Sequence, residues 1–577
     1  MASRHLNIAG AVLASSIVCI CSHSCIKSNN EVGASLIPLS QMYDIYSAEF
    51  PLEKIEMKML DSLSGFSNTR ITIGAIRDQE FGLTKRGCAL TLVPLLRELD
   101  FGKNPEFRSF HFSAAHDTTN FIDSREKNIF QNINVYELSE PLDFSMVNSN
   151  APVAHHSERI SDGIPVYSGK DSLSFNFKKS YGERYLGITA SDLADMKSYL
   201  KKFPGIYIDT DEPDGIGGRI NMFQLQLGIN TSYGYLTKDF AELAFTAEYN
   251  GKRKDTSFLF LLSPSKMFDV DSLITAQDKQ GLKTYSFPQY CFNATTHETR
   301  GREGLATDRI LIEGGGGLKA VISAEEILQK TKEAIAEKGD PANAVINRAT
   351  IILPFEFPED YKTMTQYPDF LSPTCRISGK DKDGNGYVSY ASLTDATSEN
   401  ENPGNINRSL LQYAPDVTYH IQQIVGLKEE ANLSNYDIWT LLMSTEESKG
   451  ETDNSSNQMN DYYSQLAMAQ YFDSMYGGYG YGGYGGYGGY GGYGYGGYGG
   501  YGGYGYGGYG YGGYSNYYSM MMLASMYSNS SSGSSKATTI EMDKDRYFRA
   551  VLNGPAAGKE GKRVPTMKIV YALPKGE

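Results

Sequence analysis

The sequence has little tryptophan, few cysteines and no excess of basic residues. One Trp and 6 Cys occur in 577 residues, and 53 Lys and Arg are outnumbered by 67 Asp and Glu. A surface that follows nucleic-acid phosphates needs clustered Lys and Arg, so the net charge of -14 argues against a nucleic-acid partner. The same charge disfavours attraction to an anionic membrane surface.

A hydrophobic run long enough to span a membrane comfortably is also missing. The nearest candidate, Leu6–Cys21, follows Arg4 and His5, has the length of a signal-peptide core and is soon followed by polar residues. This pattern predicts export, with residues 1–24 as a lipoprotein signal peptide and Cys25, which follows the small Ser24, as the lipidated first residue of the mature chain. A plain secretory peptide cleaved near Ser24 is the alternative.

Lipidation would attach the protein to the outer membrane without a spanning helix, because each buried methylene of an acyl chain contributes about 0.8 kcal/mol. Lys27 and then only Glu31 follow the cysteine, and this leaves the periplasmic leaflet and the cell surface both open. The thiols that remain beside Cys25 are too scattered for a disulfide framework and are expected to be small core residues. They are Cys88, Cys291 and Cys375.

Short alternations of apolar and polar residues, separated by Gly, Asn, Asp and Pro clusters, predict a mainly β protein with an antiparallel, sandwich-like body. Amphipathic patterns interrupt the strands. Ser191–Gly205 and Ser323–Gly339 are predicted helices, the second with a capping box of Ser323 and Glu326, and Val417–Gly426 also has a helical pattern.

The strand patterns suggest two β-rich parts. Residues 25–340 are predicted to form an N-terminal domain with two helices, and residues 341–577 a C-terminal region. A low-complexity insertion at about residues 450–535 interrupts the second part between two of its strands. Its centre, Tyr476–Tyr514, contains 15 Tyr and 24 Gly and nothing else.

The insertion is expected to be a long disordered loop, because Gly supplies flexibility and no aliphatic side chain is present to build a core. Its tyrosines can stack on sugars or on a protein surface. A neutral repeat expansion is the alternative. The following stretch is rich in Tyr and Met, which suit an adaptable contact with a partner. Its candidate contact residues are Tyr517, Tyr518, Met520, Met521 and Met522.

A second candidate site is an acidic loop that matches the first half of a calcium-binding loop. Its oxygen ligands would be Asp381, Asp383 and Asn385, with a backbone carbonyl from Tyr387. Ser392 stands where the bidentate glutamate is required, and no helix precedes the loop. A β-hairpin turn explains the same residues and is favoured; bound Ca²⁺ is the alternative. No other cofactor and no catalytic set of residues is indicated.

Several segments occur in an order that resembles the Bacteroidota lipoprotein family catalogued as domain of unknown function 4270. The resemblance implies a largely β lipoprotein of the cell envelope and no reaction. The segments are Glu31–Ser40, Ile73–Thr84, Val135–Phe144, Phe203–Glu212, Arg309–Ile322 and Val345–Glu356.

Two functions from different classes fit these features. The first is a non-enzymatic accessory or structural subunit of an envelope complex, with an outer-membrane β-barrel engaged in protein assembly or export as its partner. The second is a surface lipoprotein that binds glycans through its tyrosines.

Overall fold

The structure is a computed structural model. It describes residues 42–60, 63–67, 70–117, 129–143, 148–169, 172–225, 229–230, 235–236, 239–264, 267, 289–380, 386–393, 402, 404–427, 431–447 and 538–575. The predicted signal peptide, Cys25 and the Gly/Tyr insertion lie outside them.

The described chain is mainly strand, and the paired strands run antiparallel, so the predicted fold class is confirmed. The first strands are β1 (Tyr43–Pro51), β2 (Ile55–Met59), β3 (Phe66–Ser67), β4 (Arg70–Asp78), β5 (Gly82–Leu90), β6 (Leu92–Pro94), β7 (Lys103–Ala114), β8 (Gln131–Leu138), β9 (His155–Arg159), β10 (Val166–Tyr167), β11 (Leu173–Asn176), β12 (Ile206–Thr210), β13 (Gly217–Gln224), β14 (Ile229–Asn230) and β15 (Tyr235–Leu236). The later strands are β16 (Phe240–Tyr249), β17 (Lys252–Leu262), β18 (Cys291–His297), β19 (Gly304–Leu305), β20 (Arg309–Glu313), β21 (Leu318–Ile322), β22 (Val345–Pro354), β23 (Phe370–Lys380), β24 (Gly386–Ser392), β25 (Ile406–Asn407), β26 (Gln412–Tyr413), β27 (Ile438–Glu447), β28 (Thr538–Met542), β29 (Arg549–Asn553) and β30 (Thr566–Pro574).

The α-helices of the described chain are short and lie against the sheets. They are α1 (Lys179–Tyr185), α2 (Met196–Lys202), α3 (Ala324–Ala336) and α4 (Thr418–Val425). Short 3-10 helices span Pro341–Asn343, Tyr361–Gln366, Leu433–Tyr436 and Pro555–Glu560. No helix in this part of the chain is long and apolar enough to cross a membrane.

The helix predicted at Ser191–Gly205 is shorter than expected. Helix α2 begins at Met196 because Asp195 caps it, accepting a hydrogen bond from the Ser198 amide at 2.7 Å. The preceding residues form a turn in which the Asp192 carboxylate accepts from the Thr189 amide. The hydrogen bond of Asp192 therefore belongs to a turn, and the cap at Asp195 sets the first residue of the helix.

Two hydrophobic cores organise the strands. The first lies between a nine-stranded sheet (order β10-β8-β12-β5-β18-β3, with β4, β9 and β13 attached) and a five-stranded sheet (β11-β7-β16-β17-β6), and α1 and α2 pack on it. Its centre is aromatic. Phe110, Tyr185 and Phe260 are buried there, with ring centroids 4.8 to 5.4 Å apart.

The second core lies between a five-stranded sheet (β1-β30-β22-β26-β25) and a seven-stranded sheet (β19-β2-β21-β27-β23-β24, with β28 attached), together with α3 and α4. Strands from both ends of the chain build it, because β1 pairs with β30 along its whole length and β2 pairs with β21. The boundary predicted at residue 340 therefore does not separate the two cores. Residue 340 is exposed, but α3 before it and β22 after it both pack into the second core. The alternating pattern of a strand does not reveal which strand it will pair with.

Strand β30 lies between β1 and β22 in its sheet, and from Thr566 to Tyr571 its side chains alternate between the core and the outer face. We expect Ile569→Ala, at a site with 0% exposure, to destabilise the protein by about 2–5 kcal/mol because it leaves a cavity. Lys568→Ala, on the exposed face of the same strand, should change stability by about 0.5 kcal/mol or less. Thermal unfolding of both variants checks the contrast, and equal effects would contradict the assigned faces.

The second core also contains a histidine whose titration should be visible. Burial lowers the pKa of His420 to about 4, although Nε2 lies 3.0 Å from the Tyr436 carbonyl, which raises it. The unfolded chain takes up this proton near pH 6.5 and the folded chain only near pH 4, so stability is lost as the pH falls through this window.

The free energy of unfolding should fall by at most about 1.4 kcal/mol for each pH unit in this window. His420→Gln keeps a donor for the carbonyl and does not titrate. We expect the unfolding midpoints of the wild type and this variant to diverge between pH 6.5 and 4. Parallel pH profiles would show that His420 is not the group responsible.

Candidate functional site

All but one of the residues predicted as functional lie outside the described chain. Cys25 and the five Tyr and Met contact residues, Tyr517, Tyr518, Met520, Met521 and Met522, lie outside it. So do the calcium candidates Asp381, Asp383 and Asn385, whereas Tyr387 belongs to β24. Strands β23 and β24 pair up to Lys380 and Gly386, so the favoured hairpin is present, and Ca²⁺ in its loop stays a prediction.

Carboxylate and histidine side chains elsewhere in the described chain have partners within the protein. At the end of β12, the Asp209 carboxylate lies 2.9 Å from the Lys85 ammonium, and in the loop that follows, the Asp211 carboxylate accepts a hydrogen bond from the Asn134 side chain at 2.9 Å. His155 is stacked between Tyr136 and Tyr207. Within the described ranges, no group of three or more His, Cys, Asp or Glu side chains could hold a metal ion.

The base of the Gly/Tyr insertion is the feature with the clearest geometry. Strands β27 and β28 pair antiparallel from Met443 with Met542 to Glu447 with Thr538. Met443 also pairs with Phe370 of β23 on its other side, and beyond it β27 pairs with β28 alone. The intervening 90 residues therefore leave and re-enter the body at neighbouring positions, at the end of a two-stranded ribbon.

The segment that follows the ribbon is buried, and charged side chains hold it in place. Arg86 of β5 donates hydrogen bonds to the Asp545 and Arg546 carbonyls, and the Arg70 guanidinium lies 3.8 Å from the Asp545 carboxylate. The Asp543 carboxylate is 2.6 Å from Nε of Arg546. These contacts join the ribbon's C-terminal flank to the nine-stranded sheet of the first core.

Burial shifts the pKa values of the charged groups in and beside this segment. It raises the pKa of Asp545 above its ordinary value even though Lys544 and the two arginines oppose the shift. Burial likewise lowers the pKa of Arg86, against the stabilising charges of Asp545 and Asp543. The arginine keeps its charge because its ordinary pKa is so high.

A second buried charge lies beside this segment, at the end of β20. Glu313 has 0% exposure, and its carboxylate accepts hydrogen bonds from the Thr84 and Thr299 hydroxyls at 2.6 Å each. Nδ1 of His297 lies 2.9 Å away. Burial alone would raise the pKa of Glu313, but His297 and the two hydroxyls outweigh it and hold the pKa below its ordinary value.

The glycines after Glu313 form a turn between β20 and β21, and the Lys319 side chain fills it. Its ammonium donates to the Glu313, Gly315 and Gly317 carbonyls at 2.5, 3.0 and 2.9 Å. Gly315 has a φ of +58°, and a Cβ on Gly317 would stand 2.6 Å from the Glu313 carboxylate, so both positions require glycine.

Burial lowers the pKa of Lys319 to about 7, while Glu313 opposes the shift and Arg86 adds to it. The lysine is 2% exposed and Glu313 is not exposed at all. Their role in the described structure is therefore to hold the turn, since neither group meets solvent. Sequence reasoning missed this pair; the only signal was Glu313 immediately before a run of four glycines and Lys319 two residues after it.

Comparison with known proteins does not assign this chain to a family. No protein-family model, no curated protein and no solved structure matches this chain. The resemblance to the lipoprotein family therefore stays a prediction.

Loss of the Glu313 charge should destabilise the protein, because the His297 ring and the Lys319 ammonium would stay buried beside an uncharged side chain. We expect Glu313→Gln to lower the free energy of unfolding by about 3–5 kcal/mol. Glu325→Gln removes an equivalent charge from a surface pair, with the Glu325 side chain 67% exposed, and should cost about 1 kcal/mol or less. Urea unfolding of both variants measures the difference. Similar costs would contradict a central role for the buried carboxylate.

Proposed function

We propose that this chain is a non-enzymatic lipoprotein of the outer membrane that serves as an accessory or structural subunit of an envelope complex. The partner would be an outer-membrane β-barrel engaged in protein assembly or export. Cys25 would carry the lipid, and the leaflet is left open. One observation carries the proposal: a 90-residue Tyr-rich segment begins and ends on adjacent strands of a ribbon on an ordered body.

Such an arrangement suits recognition. A flexible segment loses conformational entropy when it binds, so a partner must supply many contacts to offset the loss. The tyrosines can supply them, since each offers an apolar ring and a hydroxyl group. The paired ribbon fixes where the segment leaves and re-enters the body, and the Arg86 contacts hold the chain that follows it, so a partner would meet the segment at a defined place on the protein.

The register at the ribbon allows a clean deletion. Because Glu447 pairs directly with Thr538, residues 448–537 can be replaced by Asn-Gly, which closes a two-residue hairpin. We expect this variant to fold with undiminished stability and to lose its partner. Mass spectrometry of complexes isolated in mild detergent measures the loss, with thermal unfolding as the folding control.

Two further variants show which part of the segment acts. Replacing the 15 tyrosines between Tyr476 and Tyr514 by serine keeps its length, and replacing Met520, Met521 and Met522 by serine tests the Met-rich stretch. A partner retained by the hairpin variant would place the interface on the β body. If the intact lipoprotein is isolated alone, the proposal fails, and binding to a glycan array that depends on the tyrosines would support the glycan-binding alternative.

A further inference from the structure

The outer face of the five-stranded sheet carries exposed apolar side chains at the end where β1 begins. Tyr43, Ile45 and Val345 are 51%, 70% and 46% exposed. Ile45 and Val345 both pair with Ala572 of β30, from opposite sides, and Tyr43 pairs with Pro574. Directly paired residues share a face, so these side chains form one patch, which we call the apolar sheet end.

This patch is separate from the core. Along β30 the core-facing residues are Met567, Ile569 and Tyr571, while Lys568 and Ala572 alternate to the other side. The apolar sheet end is therefore the outer surface of a sheet whose inner surface is already packed. Singly exposed apolar residues need no explanation, but three large ones around an alanine do.

The position of the patch along the chain indicates what covers it. Tyr43 stands 18 residues after Cys25. At no more than about 3.6 Å per residue, a stretch of that length can span at most about 65 Å. Strand β1 is the first described strand after Cys25, so a lipid on Cys25 would tether the start of β1 to the bilayer more directly than any other described strand.

We propose that the apolar sheet end rests on the lipid surface and orients the body on its anchor. This inference rests on the proposed lipidation of Cys25 and adds to it the face that meets the membrane. Tyrosine and aliphatic side chains are suited to the boundary between headgroups and acyl chains. The far end of β22, about 30 Å away at 3.3 Å per residue, would point away from the membrane.

The charges around the patch indicate which lipid is involved. Asp44 and Lys575 lie 4.0 Å apart, and Glu49 is paired directly with Lys568. Because the two signs balance, the contact should depend on apolar burial and not on anionic headgroups. Vesicles of phosphatidylcholine are therefore a sufficient probe, and added anionic lipid should make no difference.

The test uses the mature chain from Cys25, coupled through that thiol to a maleimide lipid in phosphatidylcholine vesicles. Cys88, Cys291 and Cys375 are buried, so coupling is directed to Cys25. Ile45→Trp places a fluorophore in the patch, and the native Trp439 is 8% exposed and serves as background. Leu410→Trp, at a site 57% exposed near the far end of β22, is the matched control.

We expect brominated phosphatidylcholine to quench the emission of Ile45→Trp and not that of Leu410→Trp. Adding Val345→Glu to Ile45→Trp should abolish the quenching, whereas adding Leu410→Glu should leave it unchanged. Equal quenching at the two positions, or none at either, would overturn the proposed orientation. So would a blue-shifted Ile45→Trp emission and a dimer in sedimentation without lipid, since a second copy would then cover the patch.

The chemical coupling separates this result from the proposed function. If cells do not lipidate Cys25, mass spectrometry of the native protein shows an unmodified cysteine and the proposed function fails, while the quenching result is unaffected. If the coupled protein shows no selective quenching, the orientation fails, and the pull-down of a partner is still a valid test of the subunit.

Discussion

The antiparallel pairing of β27 with β28 is the constraint on which the second core depends. Everything C-terminal to the Gly/Tyr insertion enters the body through this ribbon, including β30, the strand between β1 and β22. Closing a 90-residue loop costs about 3 kcal/mol more than closing a two-residue turn. The ladder, the buried Arg86 contacts and the apolar side chains of β29 and β30 together must offset that cost.

Buried charge secures the same junction. Arg86, Glu313 and Lys319 are almost completely buried, and each has partners of complementary polarity: two carbonyls for the arginine, two hydroxyls for the glutamate and three carbonyls for the lysine. A buried charge is tolerated only when such partners replace water. Apolar side chains could fill this space without specifying which strand lies where. The directional contacts select one arrangement of the chain after the insertion.

Particular residues mark the limit of sequence-based prediction. The box of Ser323 and Glu326 locates the start of α3 correctly, and Ser323 does accept from the Glu326 amide. The Glu326 carboxylate, however, accepts from the Glu53 and Lys54 amides, 272 or more residues away, and so connects α3 to the start of β2. A local motif predicts local hydrogen bonds and gives no information about a distant segment that competes for the same donor or acceptor.

The amino-acid sequence by itself determined the predominance of strands, the hairpin of β23 and β24, and the placement of the insertion between two strands. Side-chain periodicity and the backbone preferences of glycine are local properties, which is why these features can be derived without coordinates. Only the tertiary structure decided that β1 joins β30, that the two cores do not divide at residue 340, and that Glu313 and Lys319 are buried. These outcomes depend on pairing between strands far apart in the chain, and an alternating pattern is equally compatible with many partners.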